Sequence, residues 1–204
     1  MLINEALKIK SFKKRCFLLV MRWVKGYRNV IWQFSNEEEY QESQKSVYIN
    51  SHYTIPNLTK RISVKSILEN SSFELISICR VNEIKNIHFF ISVLKEVDFK
   101  CNYTIVGSIE DEEYYNGLKS LIRELPPHVS VQFIGPKPYH EIEKQLAHSS
   151  LFISTSKNEN YGHSIIEALG NRIPVLVSEA CPWIQLESYH AGYRLPFKKS
   201  IFLE

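Results

Sequence analysis

The sequence has few of the residues that mark several common nucleotide-binding sites. Its 204 residues include two aspartates, Asp98 and Asp111, so an Asp-x-Asp clamp for a metal-bound nucleotide cannot be built. The seven glycines form neither the G-x-G-x-x-G loop of dinucleotide-binding sheets nor a G-x-x-x-x-G-K-[ST] loop. Any diphosphate bound here would therefore have to be neutralised by cations and helix ends.

Cysteine pairs and long apolar runs are also missing. The four cysteines (Cys16, Cys79, Cys101 and Cys181) are scattered without a C-x-x-C pair, which favours neither a zinc site nor a disulfide framework. The longest apolar run near the start, residues 16–21, is far shorter than the roughly 20 residues of a membrane-spanning helix. Because the flanking residues do not resemble a secretory signal either, we expect a cytoplasmic protein.

Acidic residues are absent between Ala6 and Asn36, where the chain is strongly basic. Residues 8–28 carry eight Lys and Arg, mostly within a helix predicted over 6–27, although the net charge of +3 is too small to indicate nucleic-acid binding. Clustered cations contribute roughly 1 kcal/mol each near anionic lipids, so one hypothesis is that residues 8–28 bind peripherally to the inner face of a membrane. An ordinary domain helix with a solvated charged face is the alternative, and the sequence leaves both open.

The rest of the first 60 residues shows no pattern of a compact unit. We predict a strand over 30–35, a short acidic helix capped by Asn36, extended pieces at 47–49 and 53–55, and a turn at Pro56-Asn57. Residues 1–60 are therefore interpreted as the tail of another domain followed by a linker, with a second domain over residues 61–204.

From residue 73 onward, short apolar runs alternate regularly with helical segments. Strands are predicted over 74–79, 103–106, 129–134, 151–155 and 173–178, and helices over 86–97, 111–123, 139–148 and 162–170. Repeated strand–helix–strand units predict a Rossmann-like, doubly wound parallel sheet, whose ligands bind outside the carboxyl ends of the strands. Arg80, Gly107, Gly135 and Glu159 each follow a predicted strand, so we expect them to share that edge of the sheet.

The stretch 151–178 has the strongest features of a binding site. Gly162 stands at the start of a predicted helix, where unpaired backbone N–H groups can meet an anion. Glu159 precedes this helix and Glu167 lies one turn beyond His163 and Ser164 on the same face, so both carboxylates can face one crevice. Carboxylates accept hydrogen bonds from paired hydroxyls, which suits a sugar and a ribose flanking a phosphate. His163 is a candidate general base, but local packing or hydrogen bonding explains it equally well.

Arg80 and Lys85 are the cations expected nearest to this crevice. They stand where the first strand of the sheet opens into its helix, and two cations there could hold a diphosphate and stabilise it as a leaving group. By themselves they could equally be surface charges on a loop. Together with the two glutamates on the same edge, they make a nucleotide-diphosphate sugar the best-fitting ligand.

Residues from Tyr53 onward resemble the nucleotide-sugar-binding C-terminal domain of family 4 glycosyltransferases, which have the two-domain GT-B fold. The specific match is the motif that runs from Glu159-Asn160-Tyr161-Gly162 to Glu167-Ala168-Leu169. Weaker matches are Ile55-Pro56-Asn57, Arg80 with Lys85-Asn86, Gly107, Gly135 and Pro174-Val175. The resemblance implies that residues 1–60 are a mainly helical remnant of an acceptor domain, and that residues 61–204 bind the donor.

The resemblance also implies a reaction and its residues. It implies retaining, metal-independent transfer of a sugar from a UDP- or GDP-linked donor to a glycan or lipid-linked acceptor, without a cofactor. Arg80 and Lys85 would hold the diphosphate, Glu159 would contact the donor sugar, and Glu167 would bind the ribose hydroxyls. The other donor-binding positions would be Gly107, Gly135, Tyr161, Gly162, His163 and Ser164, with Pro136 and Lys137 on the nucleobase side.

The chain departs from the family in two respects. Arg172 stands where most members have a glycine, so we expect Gly170 or Asn171 to end the preceding helix. Only the last part of an acceptor domain is expected within residues 1–50, and the chain stops at Glu204, where the family continues. Because catalysis in this fold occurs between two domains, a noncatalytic donor-binding fragment, or half of an enzyme completed by a separate acceptor-domain chain, is the alternative. A peripheral membrane protein without a ligand site is a third hypothesis.

Overall fold

The computed structural model describes residues 11–35, 37–55 and 72–203. The chain divides into two compact units, Met1–Leu58 and Thr59–Glu204. The first unit contains helix α1 (Ser11–Trp23), strand β1 (Ile31–Phe34), helix α2 (Glu37–Gln44) and strand β2 (Ser51–Thr54). The two strands pair in parallel, from Ile31 opposite Ser51 to Phe34 opposite Thr54.

Aromatic packing gives the first unit a small core that the sequence analysis did not anticipate. The Phe34 side chain is buried, and its ring centroid lies 5.5 Å from that of Tyr40 and 6.0 Å from that of His52. These contacts join β1, α2 and β2, because they fill the space around one large apolar side chain. The expectation that the first 60 residues have no compact packing of their own is therefore wrong.

The local predictions for this unit are partly confirmed. The strand predicted over 30–35 is β1, and the helix predicted over 6–27 is confirmed from Ser11 to Trp23, after which the chain forms turns. Of the two predicted extended pieces, residues 53–54 belong to β2, whereas residues 47–49 lie outside the strands and Val47 is buried. The predicted cap at Asn36 and the predicted turn at Pro56-Asn57 lie outside the described residues. Among the helices described, none is both long and apolar enough to cross a bilayer.

The second unit is built on a six-stranded parallel sheet. Its strands are β3 (Phe73–Ile78), β4 (Cys101–Val106), β5 (Val129–Phe133), β6 (Leu151–Ser154), β7 (Val175–Ser178) and β8 (Gly192–Leu195), in the order β5-β4-β3-β6-β7-β8. Its helices are α3 (Ile87–Leu94), α4 (Glu112–Ile122), α5 (Tyr139–Ala147), α6 (His163–Gly170) and α7 (Lys199–Phe202), and a 3-10 turn covers Glu83–Lys85. The predicted α/β, Rossmann-like fold is confirmed.

Helices cover both faces of this sheet because adjacent residues of a strand point to opposite sides. Leu75 of β3 joins the buried cluster that contains residues of α3 and α4, whereas its neighbour Ile76 joins the cluster that contains residues of α5 and α6. The apolar residues of the segment predicted as a helix over 86–97 are buried against the sheet, namely Ile87, Phe90, Ile91, Leu94 and Val97.

Two features of the second unit were not predicted correctly. β8 was missed because it has only four residues, and one of them, Tyr193, is exposed. The end of α6 is also different from expectation, because Arg172 itself adopts the left-handed conformation (φ +62°) rather than Gly170 or Asn171. The backbone N–H of Ile173 donates to the carbonyl of Ala168 at 3.0 Å, which is the hydrogen bond of a Schellman ending.

The strand order places a crevice between β3 and β6. β3 pairs with β4 on one side and with β6 on the other. The chain therefore leaves the carboxyl ends of these central strands toward opposite faces of the sheet, and the gap between the two departing loops is where ligands of such folds bind.

Candidate active site

An ion pair joins the loops that follow β3 and β6 across this crevice. The ammonium Nζ of Lys85 donates to Oε2 of Glu159 at 2.7 Å. Both side chains are largely shielded from water, with exposed fractions of 19% for Lys85 and 17% for Glu159. The two residues are separated by 74 positions in sequence, and only the parallel pairing of β3 with β6 brings them together.

Hydrogen bonds from both loops hold Lys85 in place. The side chain of Asn82 caps the 3-10 turn by accepting from the backbone N–H of Lys85 at 3.3 Å. From the other loop, the Thr155 hydroxyl donates to the Asn86 carbonyl at 3.1 Å, and the N–H of Lys157 donates to the Ile84 carbonyl at 2.7 Å. The 3-10 turn is thus tied to the loop after β6, so that the base of the Lys85 side chain has little freedom.

A small pocket surrounds the ion pair at the carboxyl ends of β3 and β6. Lys85, Glu159 and Ser164 line it, together with polar residues that the sequence analysis did not single out, namely Ser77, Cys79, Ser154, Thr155 and Ser156. The Ser156 hydroxyl is buried and has no hydrogen-bond partner in the described part of the chain. Burial raises the pKa of the Cys79 thiol to about 11, although Lys85 opposes this shift, so the pocket has a neutral thiol on its wall.

The loop that carries Glu159 is fixed by aromatic contacts. The indole N–H of Trp183 donates to the Tyr161 carbonyl at 2.6 Å, and the two rings meet edge to face at 5.4 Å. Tyr161 also contacts the exposed His163 ring at 5.0 Å. Gly162, in the left-handed conformation (φ +73°), lies between these residues and precedes α6. Trp183 therefore anchors the loop beside Glu159.

Glu167 occupies a separate group of titratable residues on α5 and α6. Burial raises the pKa of its carboxyl group, and the carboxylate of Glu143 adds to this effect, while His163 opposes it. Tyr139, at the start of α5, has a raised pKa, mainly because of burial and then because of Glu143 and Glu167. A carboxylate in this setting is poorly solvated, so hydroxyl donors from a ligand would improve its environment.

Arg80 lies on the same edge of the sheet but is engaged elsewhere. Its guanidinium donates to Oε1 of Glu110 at 2.9 Å, and the Asn82 amide donates to the other carboxylate oxygen of Glu110, also at 2.9 Å. These two hydrogen bonds and the Arg80 charge lower the pKa of Glu110. The Arg80 side chain remains 65% exposed, so it can exchange this partner at small cost.

The two predicted glycines meet at the ends of β4 and β5. The N–H of Gly107 donates to the Gly135 carbonyl at 3.0 Å. Gly107 has φ +151°, and a Cβ there would lie 1.9 Å from the carbonyl oxygen of Cys79, so this position packs strand ends together. Beyond Gly135, Pro136 is exposed and Lys137 forms an ion pair with Glu141 at 3.4 Å.

The structure thus brings together three of the predicted residues in one pocket, Lys85, Glu159 and Ser164. It places the others in neighbouring groups along the same sheet edge, around Glu167, Arg80 and Gly107. The sequence analysis missed Ser156, Glu110, Tyr139 and Glu143. A lone serine, or a glutamate within the acidic run that follows Gly107, has no sequence signal that distinguishes it from an ordinary surface residue.

Several solved structures share the fold of this chain. Staphylococcus aureus TarM, solved as a mutant in complex with fondaparinux, alpha-GlcNAc-glycerol and UDP, is 22% identical with a TM-score of 0.65 and matches 80% of this chain and 33% of its own. Anabaena HepE in complex with UDP and glucose is 18% identical with a TM-score of 0.71 and matches 93% of this chain and 55% of its own. Sucrose-phosphate synthase from Thermosynechococcus elongatus is 16% identical with a TM-score of 0.72 and matches 91% of this chain and 50% of its own.

The family of the chain follows from its sequence match. This chain spans between a third and just over half of the length of those three structures. No curated protein sequence matches it significantly. The family model of glycosyl transferases group 1 matches residues 59–189, which include the ion pair of Lys85 and Glu159 and all of α6. The chain therefore belongs to the group 1 glycosyl transferases.

Proposed function

We propose that this protein takes part in retaining transfer of a sugar from a nucleotide-diphosphate donor to a glycan or lipid-linked acceptor. The observation that supports this most is the ion pair of Lys85 and Glu159 in the crevice between β3 and β6, in a chain of this family. In this crevice the cation is well placed to bind a phosphate, and the carboxylate is well placed to accept a hydrogen bond from a sugar hydroxyl.

The donor is proposed to lie along the carboxyl edge of the sheet. The diphosphate would replace Glu159 as the partner of Lys85, and the exposed Arg80 would turn from Glu110 toward the same phosphates. Glu159, once released, would accept hydrogen bonds from the donor sugar. Glu167 would take the ribose hydroxyls, which supply the donors that its poorly solvated carboxylate lacks. The nucleobase would face Pro136 and Lys137.

The proposed chemistry follows from these charges. Transfer breaks the bond between the anomeric carbon and the distal phosphate oxygen and forms a bond from that carbon to an acceptor oxygen. Negative charge grows on the departing diphosphate, where Lys85 and Arg80 would stabilise it without a metal ion. The proton of the acceptor hydroxyl would pass to the leaving phosphate oxygen. Attack on the face that the diphosphate leaves would retain the anomeric configuration.

The acceptor site requires a separate proposal. This chain covers 33–55% of three solved enzymes that share its fold, and catalysis in such folds needs groups from two domains. A donor-binding half that works with a separate acceptor-domain chain is therefore the second proposal. The four free cysteines fit a reducing compartment, and we propose that the protein acts in the cytoplasm.

Calorimetry with UDP, GDP and UDP-glucose tests the donor site. We expect the wild type to bind one nucleotide and Lys85→Met to bind it about tenfold more weakly, which corresponds to about 1.4 kcal/mol for one charge-assisted contact. The matched control is Lys95→Met, which removes the same charge from a pair with Glu124 on the surface and should leave binding unchanged. Absence of binding by the wild type would refute the donor site.

A transfer assay separates the two proposals. Release of UDP from UDP-sugars is measured with and without added glycan acceptors, using this chain alone. Release that depends on the acceptor and on Lys85 supports a complete transferase. Nucleotide binding without such release supports the donor-binding half completed by another chain.

A further inference from the structure

The first unit contains a cavity that the proposed donor site does not use. Its volume is about 530 Å³. The lining residues come from α1 and the turns after it, and from the segment before β2. They are Met21, Arg22, Lys25, Tyr27, Arg28, Val47, Tyr48 and Asn50, and none of them is acidic. The volume lies within the usual range of small-molecule sites, about 300–1,000 Å³.

One part of this lining is apolar and shielded from water. Val47 is buried, and Met21 and Tyr27 are half-buried. The Tyr27 ring is held from behind by the Trp32 ring, which it meets edge to face at 5.2 Å. The other lining residues are polar and exposed. A pyranose ring is divided in the same way, with apolar C–H faces and hydroxyl groups around its edge, so the shielded part of the lining suits a sugar face.

The way in which α1 ends explains why three cations line one cavity. Lys25 adopts the left-handed conformation (φ +51°) at the position after the helix where glycine is usual. The N–H of Gly26 donates to the Met21 carbonyl at 2.9 Å, and the N–H of Lys25 donates to the Arg22 carbonyl at 3.3 Å. This Schellman ending reverses the chain, so that Arg28 lines the same cavity as Arg22. Lysine is strained in a conformation that glycine adopts freely, and such strain is found at ligand sites.

The three cations lack charged partners. In the part of the chain that the structure describes, no ion pair involves Arg22, Lys25 or Arg28. Like charges that line one cavity repel one another, and an anionic group between them would relieve this repulsion through charge-assisted hydrogen bonds. The Tyr48 hydroxyl and the Asn50 amide can both donate and accept, as hydrogen bonds to sugar hydroxyls require.

We propose that this cavity binds a saccharide that carries an anionic group, a phosphate or a carboxylate. The sugar ring would pack on Tyr27, and the anionic group would meet Arg22, Lys25 and Arg28. A bare phosphate ion would leave most of the volume unfilled and would not use the apolar part of the lining. The proposal rests on the proposed function in one respect, namely that the saccharide is the acceptor. The acceptor would then be an anionic glycan.

Calorimetry with the full chain and matched sugars tests the proposal. Cellobiouronic acid differs from cellobiose by a carboxylate in place of a hydroxymethyl group, and glucose 6-phosphate differs from glucose by its phosphate. We expect at least one anionic sugar to bind about tenfold or more tightly than its neutral counterpart, which is the effect of one charge-assisted contact. The pair with the larger difference identifies the anionic group. Equal affinities within both pairs overturn the proposal, and inorganic phosphate that binds as tightly as glucose 6-phosphate overturns the assignment to a saccharide.

The variant Lys25→Gly separates ligand binding from folding. Glycine is unstrained at this position, so the melting temperature should rise by about 2–4 °C, whereas loss of the cation should weaken binding of the anionic sugar about tenfold. A folding defect cannot produce these opposite changes. The matched control, Arg172→Gly, removes the same charge from the same conformation in the second unit (φ +62°), and it should raise the melting temperature without weakening binding. Unchanged binding in Lys25→Gly, or an equal loss in the control, overturns the proposal.

The donor-site variant Lys85→Met shows which unit holds the anionic sugar. Binding that is weakened by Lys25→Gly and not by Lys85→Met supports the cavity, and the reverse result overturns it in favour of the crevice between β3 and β6. The same titrations with UDP keep the two proposals apart. UDP binding without binding of an anionic sugar overturns the cavity proposal alone. Binding of the anionic sugar without UDP binding refutes the donor site and supports the cavity as an independent site.

Discussion

We predict that burial, rather than the distance between the charges, determines the coupling energy of the ion pair between Lys85 and Glu159. The second unit contains a natural comparison, because Lys95 and Glu124 form a pair of the same residue types at 2.5 Å, shorter than the 2.7 Å of Lys85 and Glu159. The exposed fractions differ: 19% and 17% for the first pair, against 30% for Lys95 and 62% for Glu124. Double-mutant cycles on both pairs isolate this difference.

The expected magnitudes follow from solvation. When Glu159 is replaced by Gln, the Lys85 ammonium stays shielded from water without a charged partner, which costs about 2–3 kcal/mol of unfolding free energy. In the same way, Lys85→Met leaves the Glu159 carboxylate shielded from water without a charged partner. The double variant has no uncompensated charge, so the coupling energy of this pair should be about 2 kcal/mol. The exposed pair should show a coupling of about 0.5 kcal/mol or less, since water solvates either partner left alone.

Urea unfolding followed by circular dichroism measures these energies for the wild type, the single variants and the double variants of each pair. The slope of each transition must stay constant, so that the differences report stability rather than a changed unfolded state. Equal coupling energies in the two pairs would refute the reasoning, as would a coupling of Lys85 and Glu159 that vanishes within the error. Raised salt should weaken the exposed pair more.

Three further predictions concern single positions. Arg172→Gly should raise the unfolding free energy by about 1 kcal/mol, because glycine adopts the left-handed conformation of Arg172 without strain, and a melting temperature that stays the same or falls would contradict this. Glu167→Gln should stabilise the protein at neutral but not at acidic pH. Because the pKa of Glu167 is raised in the folded protein, folding favours the protonated carboxyl group, and the stability that this group contributes is lost as the pH rises from the ordinary pKa of 4.5 through the pKa in the folded protein. Melting temperatures measured across this pH range check the prediction. Gly107→Ala should destabilise the protein by about 3 kcal/mol or more, since the new Cβ would lie 1.9 Å from the Cys79 carbonyl oxygen. The control Gly117→Ala, on α4 with open space at its Cβ, should stabilise the protein by about 0.5–1 kcal/mol. Equal effects of the two substitutions in denaturant titrations would count against the packing argument.

Much of the second unit could be predicted from the sequence because its signals are local. Apolar runs such as those of β3 and β4 are buried on both faces and contrast clearly with the amphipathic stripe of α3. β8 gave no such contrast, since a four-residue strand at the edge of the sheet needs little apolar surface. In the first unit, the pairing of β1 with β2 depends on aromatic contacts between residues far apart in sequence, which no local pattern reports.

The candidate site was also predictable from the sequence only in part. The spacing of Glu159, Gly162 and Glu167 follows from one loop and one helix, so the sequence alone places them at the carboxyl edge of the sheet. Which partner each cation takes is a different matter, because it depends on loops that approach only after folding. Arg80 pairs with Glu110 rather than joining Lys85, and the hydroxyl of Ser156 becomes buried without a hydrogen-bond partner among the residues that the structure describes.

The sequence by itself determined the class of fold, the edge of the sheet that carries the polar residues and the family resemblance, because periodicity and motif spacing are properties of neighbouring residues. The tertiary structure alone decided that Lys85 and Glu159, 74 positions apart, neutralise each other in the crevice, and that Arg172 takes the left-handed turn usually given to glycine. It also decided that Arg22 of α1 lines one cavity together with Lys25 and Arg28 from the turns after α1. The physical reason is that charge pairing, burial and backbone reversal depend on distances through space, which strand order and helix packing set.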